Sequence, residues 1–167
     1  MYDLEIEEKI REFFDENYEL LLLEGAHGLS NDVKMYALNQ VIFYWRKLKD
    51  IAEKVTDTEV RLTLPDQRTS KKRRFTIEGI VDVVKEGDET WMYDIKTHDP
   101  EYVKSNKDLY EKQLNVYAYI WQHLRENPLH HCAVISTAYP RELKRAIQTQ
   151  DLARIQYIMD KWSPVID

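Results

Sequence analysis

The chain has 167 residues, 43% of them hydrophobic, which is the size of one ordinary domain able to bury a single core. Four glycines, no low-complexity tract, no repeat and no apolar run near the roughly 20 residues of a membrane span leave a soluble, intracellular, cytoplasmic protein as the expectation, at most associated with the nucleoid. The single Cys132 excludes an internal disulfide and a cysteine-held cluster, and the net charge of −6 is unevenly spread: residues 1–24 carry nine acidic and two basic side chains, the rest 21 and 22.

In chain order, Ile6, Ile10, Phe13, Phe14, Asn17 and Leu21 recur at helical spacing and predict an amphipathic helix over 3–23. Gly25-Ala26-His27-Gly28 is a turn. Ser30 or Asn31 then caps a second helix with Leu38, Val41, Ile42, Trp45, Leu48, Ala52 and Val55 on one face. From Thr58 the period changes to two, and Val60, Leu62 and Leu64 mark a first strand ending at Pro65. Lys71, Lys72, Arg73 and Arg74 form a basic run, read either as a solvated loop or as a phosphate contact. Arg74–Val84 and Thr90–Thr97, separated by Gly87-Asp88, predict a hairpin.

Asp99-Pro100 ends that strand and a polar loop follows. Asp108 is placed to cap a helix showing Leu109, Gln113, Tyr117, Ile120 and Leu124 on one side until Pro128. His131–Ala138 is a buried strand, and Arg141–Trp162 is helical. The order predicts a single α/β domain with a mixed four-stranded sheet: a helical part over 1–57, a core over 58–138 and terminal helices over 139–167.

Asp82 lies inside a β-branched strand, where an unpaired charge is heavily penalised, and Asp94 and Lys96 share one face of the next strand. Two converging carboxylates repel. A divalent cation between them removes the penalty, hard oxygen ligands suit Mg²⁺ or Mn²⁺, and an adjacent lysine can then stabilise charge developing on a phosphoryl group. A structural ion network in an unrelated α/β protein is the alternative for these three residues.

The Gly79-to-Asp82 strand, the Asp94-Ile95-Lys96-Thr97 strand and the Gln113-to-Tyr117 helix, in this order, resemble the RecB-like branch of the PD-(D/E)xK nucleases over about residues 58–138. That resemblance implies a restriction-endonuclease-like core with two helices before it, and hydrolysis of DNA phosphodiester bonds. It implies Asp82, Asp94 and the Ile95 carbonyl as metal ligands and Lys96 as the catalytic lysine. Gln113 and Tyr117 would sit beside the site, or pack the helix on the sheet as a polar neighbour and a core residue. Glu59 and His27 are the candidates to complete the metal shell, though Glu59 also reads as a surface strand residue and His27 as a turn residue. The four cysteines of iron–sulfur relatives are missing. No phosphate-binding Gly-x-x-x-x-Gly-Lys loop is present either, so unwinding would come from a partner such as a helicase or another repair or defence subunit. The expected enzyme acts on DNA ends or single-stranded flaps, and the expectation from a different class is a silent nuclease-fold module that binds nucleic acid or assembles a complex.

Overall fold

The computed structural model describes residues 2–166, in which the chain forms two compact units that meet between Lys49 and Asp50. The helical part expected over 1–57 therefore closes earlier as a unit. Its first helix, α1 (Tyr2–Leu23), begins with Asp3 and Glu5, whose charges favour a helix N-terminus. It stops where Gly25 takes φ 93: the Ala26 N–H reaches the Leu21 carbonyl and the Gly25 N–H reaches the Leu22 carbonyl, a C-terminal cap that a residue without Cβ accepts most easily. Helix α2 (Asn31–Ala52) starts at Ser30, whose hydroxyl accepts from the Val33 N–H, and kinks at Leu48. Asp3–Lys49, Glu7–Arg46 and Asp15–Lys34 pair the helices antiparallel.

The second unit holds one mixed sheet of five strands in the order β1 (Asp57–Arg68), β2 (Arg74–Lys85), β3 (Trp91–Lys96), β4 (His131–Ser136) and β5 (Val165–Ile166). Only β3 and β4 are parallel. Parallel neighbours need a crossover, supplied here by α3 (Pro100–Ser105) and α4 (Lys107–Leu124). Two short helices, α5 (Arg141–Gln148) and α6 (Leu152–Lys161), follow β4.

This is the expected α/β mixed-sheet class, with one strand more than the four expected. The fifth is a two-residue strand after Pro164, too short to carry a periodic signal. Strand β1 also runs past Pro65. The proline lies in a register shift between Leu64 and Gln67, where a missing N–H breaks no ladder bond and Asp66 takes φ 57. The expected polar loop after Asp99-Pro100 is α3, its first turn capped by the Asp99 carboxylate 2.9 Å from the Tyr102 N–H. Asp108 consequently lies in the first turn of α4 and caps nothing, while Asn106 stands at the cap. The helical stretch from Arg141 is cut at Gln150 (φ 55), and Asp151 caps α6 through the Arg154 N–H.

Helix α4 is turned about one residue from its expected phase: Tyr110, Leu114, Ile120 and Trp121 are its buried side, whereas Leu109 is 63% exposed. Ile120 and Trp121 join Leu62, Leu64, Val81, Val84 and Met92 in the main core. Burying side chains of this size stabilises by about 1.5–3 kcal/mol each, so Trp121→Ala would cost about 3–5 kcal/mol. That packing fixes α4 against the same face of the sheet as Met92 and, two residues on, Asp94. No helix among the described residues is long and apolar enough to cross a membrane.

Candidate active site

The hairpin of β2 and β3 opens at the point where its acidic residues stand. Val83, Val84 and Lys85 pair with Tyr93, Met92 and Trp91, and the next pair in that register would be Asp82 with Asp94. Two carboxylates side by side destabilise a ladder, and the pairing ends one step short of them. Along β3 the backbone groups alternate between neighbours: the Lys96 carbonyl accepts from the Thr137 N–H beyond β4, so Ile95 directs its N–H and C=O towards β2. There the Asp82 carboxylate replaces the lost ladder partner, accepting from the Ile95 N–H at 2.7 Å. The Ile95 carbonyl faces the same gap.

Asp94 is 2% exposed, on the face that α4 covers. Its Oδ1 accepts from Gln113 Nε2 at 3.2 Å. Its Oδ2 is ion-paired with Lys96 Nζ at 2.6 Å, an approach too oblique for a well-aligned hydrogen bond, so the charge of the lysine rather than directed bonding holds this buried oxygen. Burial pushes the Asp94 carboxyl above the usual carboxylate range; Lys96 opposes the shift and the charge of Asp82 adds to it. An ionised Asp94 is thus one cation short of compensation.

Gln113 also donates to the Tyr117 hydroxyl at 2.7 Å, one helical turn further along α4. The Tyr117 ring lies flat on Gly79 of β2: a Cβ there would stand 2.5 Å from Tyr117 Cε1 and 2.8 Å from Cδ1. This explains the glycine three residues before Asp82. Strand and helix approach closely enough for one Gln to hold both the carboxylate and the phenol. Tyr117 also packs against the core.

Two further residues border the site without having been marked by sequence. The Tyr110 ring lies 5.9 Å from Lys96 Nζ, and its hydroxyl lies 3.4 Å from His98 Nδ1, while the His98 carbonyl accepts from Ser136 Oγ. Tyr110 precedes Gln113 by three residues. The 110, 114, 117, 121 spacing signals this face once the exposed Leu109 is set aside.

Glu59 falls at the β1 register position opposite Asp82, but it takes φ 51 and its side chain is exposed. His27 is exposed in the turn after α1, within the first unit. Among the described residues no three His, Cys, Asp or Glu side chains gather as a metal site. Lys71, Lys72 and Arg73 are exposed at the β1–β2 turn, held by the Lys72 N–H to Thr69 carbonyl bond. Arg74 stands 3.6 Å from Asp66. Cys132 is half-buried and its thiol is pushed up by burial, in keeping with an inert packing residue.

A divalent cation fits what is present. The buried Asp94 carboxylate, the repulsion between two acids and a carbonyl turned into the same gap make a partial shell of hard oxygens, the preference of Mg²⁺ and Mn²⁺. A model of the PD-(D/E)XK nuclease superfamily matches residues 4–163. The chain belongs to that superfamily. No curated protein matches the chain. PD-(D/E)XK nucleases generally use divalent metal ions, and membership accounts for a sheet whose hairpin opens around two acids instead of zipping past them.

Proposed function

We propose that this member of the superfamily is a Mg²⁺- or Mn²⁺-dependent deoxyribonuclease of the RecB-like branch, cutting DNA at ends or in single-stranded flaps during repair, recombination or defence inside the cell. The observation that carries the reading is the buried Asp94 carboxylate, pushed up by burial and by the charge of Asp82 and 2.6 Å from the Lys96 ammonium.

In this reading Asp82, Asp94 and the Ile95 carbonyl hold the cation. When bound, the cation supplies Lewis-acid polarisation of the phosphoryl group and lowers the pKa of the attacking water. Lys96 stands over the same carboxylate and stabilises charge that develops on the phosphoryl oxygens. Gln113 fixes Asp94 through its other oxygen, and Tyr117 fixes Gln113. The Lys71–Arg74 turn contacts phosphate away from the cut, its Lys71, Lys72 and Arg73 having no carboxylate partner among the described residues. Glu59, opposite Asp82 in register, is the proposed completion of the shell, with His27 as its competitor. A helicase or another repair or defence subunit would supply any unwinding.

The decisive experiment assays end-labelled single- and double-stranded DNA with and without Mg²⁺ or Mn²⁺, alongside calorimetric titration of Mn²⁺. Metal-dependent cleavage is expected. Metal binding and DNA binding without cleavage would instead establish the silent-module alternative, which the absence of a third converging His, Cys, Asp or Glu among the described residues favours. Glu59→Gln should raise the Mn²⁺ concentration for half-maximal activity by about ten-fold or more. If His27→Ala does so and Glu59→Gln does not, the shell belongs to His27.

A further inference from the structure

Lys96 closes β3 with its ammonium on a flexible stem, and directed bonding does not fix it: it meets Asp94 obliquely at 2.6 Å while its side chain stays 22% exposed. In the proposed reaction that hold weakens further. A divalent cation at Asp94 shares the same carboxylate and repels the ammonium beside it, so Lys96 needs a second hold to stay at the phosphate.

The ring of Tyr110 supplies one. Lys96 Nζ stands over it, 5.9 Å from the ring centroid, within the range at which the negative face of an aromatic ring attracts a cation. An attraction of this kind aims no N–H at an acceptor, so the donors of the ammonium remain for phosphoryl oxygens. The ring is also braced. Tyr110 is 5% exposed and packs among Val103, Leu114 and Val134. Its hydroxyl lies 3.4 Å from His98 Nδ1, the His98 ring stacks on Tyr102 with centroids 4.5 Å apart, and the His98 carbonyl accepts from Ser136 Oγ. Ser136 is fully buried and is the β4 residue paired with Lys96. The strand position that carries the ammonium and the ring that faces it are thus tied to one residue of β4. The His98 contact answers the ordinary need of a buried hydroxyl, but a cation over the ring face answers no need of packing.

We infer that Tyr110 is a positioning residue, whose ring keeps the Lys96 ammonium at the reacting phosphate while Asp94 serves the cation. The role of Lys96 rests on the nuclease reading, whereas the hold of the ring on the ammonium rests on the structure alone.

The test replaces Tyr110 by Phe and by Phe analogues of increasing ring fluorination, which keep nearly the shape of the ring while draining its negative face. Metal-free protein labelled with ¹³C at lysine Cε is followed by NMR relaxation, with Lys96→Arg assigning the Lys96 signal. The order of the Lys96 Cε should fall stepwise along the series, measured from Tyr110→Phe. With Mg²⁺ or Mn²⁺ and single-stranded DNA, kcat should fall in the same sequence, about ten-fold to the most fluorinated ring, while KM stays within about two-fold. Lys96 order that ignores the series overturns the inference, even if Tyr110→Leu lowers activity, because the loss is then one of packing. Order that follows ring charge while kcat stays constant overturns the positioning role. Order that follows ring charge in a protein that cuts nothing upholds the hold of Tyr110 on Lys96 and overturns the nuclease reading instead.

Discussion

Each unit of this chain holds one buried carboxylate beside a cation, and the two are finished differently. In the helical unit both oxygens of Glu7 are used: Arg46 Nε donates to one at 2.5 Å and Nη2 to the other at 2.8 Å. The Arg46 guanidinium holds the Glu7 carboxyl below its usual range. In the sheet unit Asp94 has a lysine at similar distance, yet the single ammonium meets it obliquely, a second acid stands beside it and its carboxyl is pushed up. If the proposed function holds, saturation of the carboxylate, and not closeness of charge, is what separates the two pairs. A guanidinium fork completes the carboxylate and leaves nothing to bind, whereas a single ammonium beside two acids leaves room for a metal.

The largest effect should come from Asp94→Asn. If this carboxylate exists for a cation, the substitution abolishes cleavage, at least about 10³-fold, while the melting temperature changes little, because Lys96 keeps part of its side chain in water. Metal-free DNA binding should be equal or tighter, since the lost charge repelled phosphate. If Asp94 and Lys96 instead form a buried structural ion pair, the same change would strand an ammonium and cost about 3–5 kcal/mol. A cleavage assay, a thermal melt and a binding curve on one preparation separate these, and parental cleavage would remove Asp94 from the chemistry.

Next comes Gly79→Ala, which leaves every charge in place and attacks the positioning of Asp94. The new methyl must displace the Tyr117 ring, and with it the Gln113 bond that steadies the carboxylate. Overpacking of this kind costs about 1–3 kcal/mol, and activity should fall more than Mn²⁺ affinity does. Activity at the parental level would return Tyr117 to a packing role alone.

These residues differ in how far sequence could reach them. The convergence of Asp82, Asp94 and Lys96 was legible because the strand period places them on definite faces and charge inside a β-branched strand demands an explanation, whereas Gln113 and Tyr117 were singled out by the family resemblance. The helical phase of α4 was not legible: Leu109 is apolar and exposed, and only packing on Val134 and Val103 shows that Tyr110 turns inward. Helix α3 was hidden because its six residues are too few to show a helical period and form a helix through a cap and a crossover that the parallel strands require.

A smaller effect is expected at the β1–β2 turn, where replacing Lys71, Lys72, Arg73 and Arg74 by Ser tests whether free cations, unlike the saturated Arg46, serve a ligand. Each phosphate that the variant no longer neutralises lowers the slope of log K against log salt by about 0.7–0.9, so a drop of about 2–3 is expected if most of the run engages DNA. An unchanged slope would make the run a solvated turn.

The smallest effect closes the comparison through pH. Glu7→Gln should leave cleavage intact and destabilise the protein by about 1 kcal/mol at neutral pH, a modest figure because half of the Arg46 side chain is in water. The folded Glu7 carboxyl titrates below its unfolded value of 4.5, so its contribution is fully present above that value and is lost as pH falls towards the lowered one. Asp94 has the opposite sign. Its raised folded pKa makes ionisation costly, so its penalty is absent in acid, sets in as pH rises past the unfolded value of 3.8 and is complete above the raised one. Metal-free melts from pH 3 to 7 should therefore show the Glu7→Gln deficit shrinking in acid, while Asp94→Asn gains on the parent as pH rises. Parallel curves for parent and Glu7→Gln would mean that Arg46 holds the ionised and neutral side chains equally, and a falling Asp94→Asn curve would mean that Lys96 already saturates Asp94. Either result would erase the distinction between the completed pair and the open one.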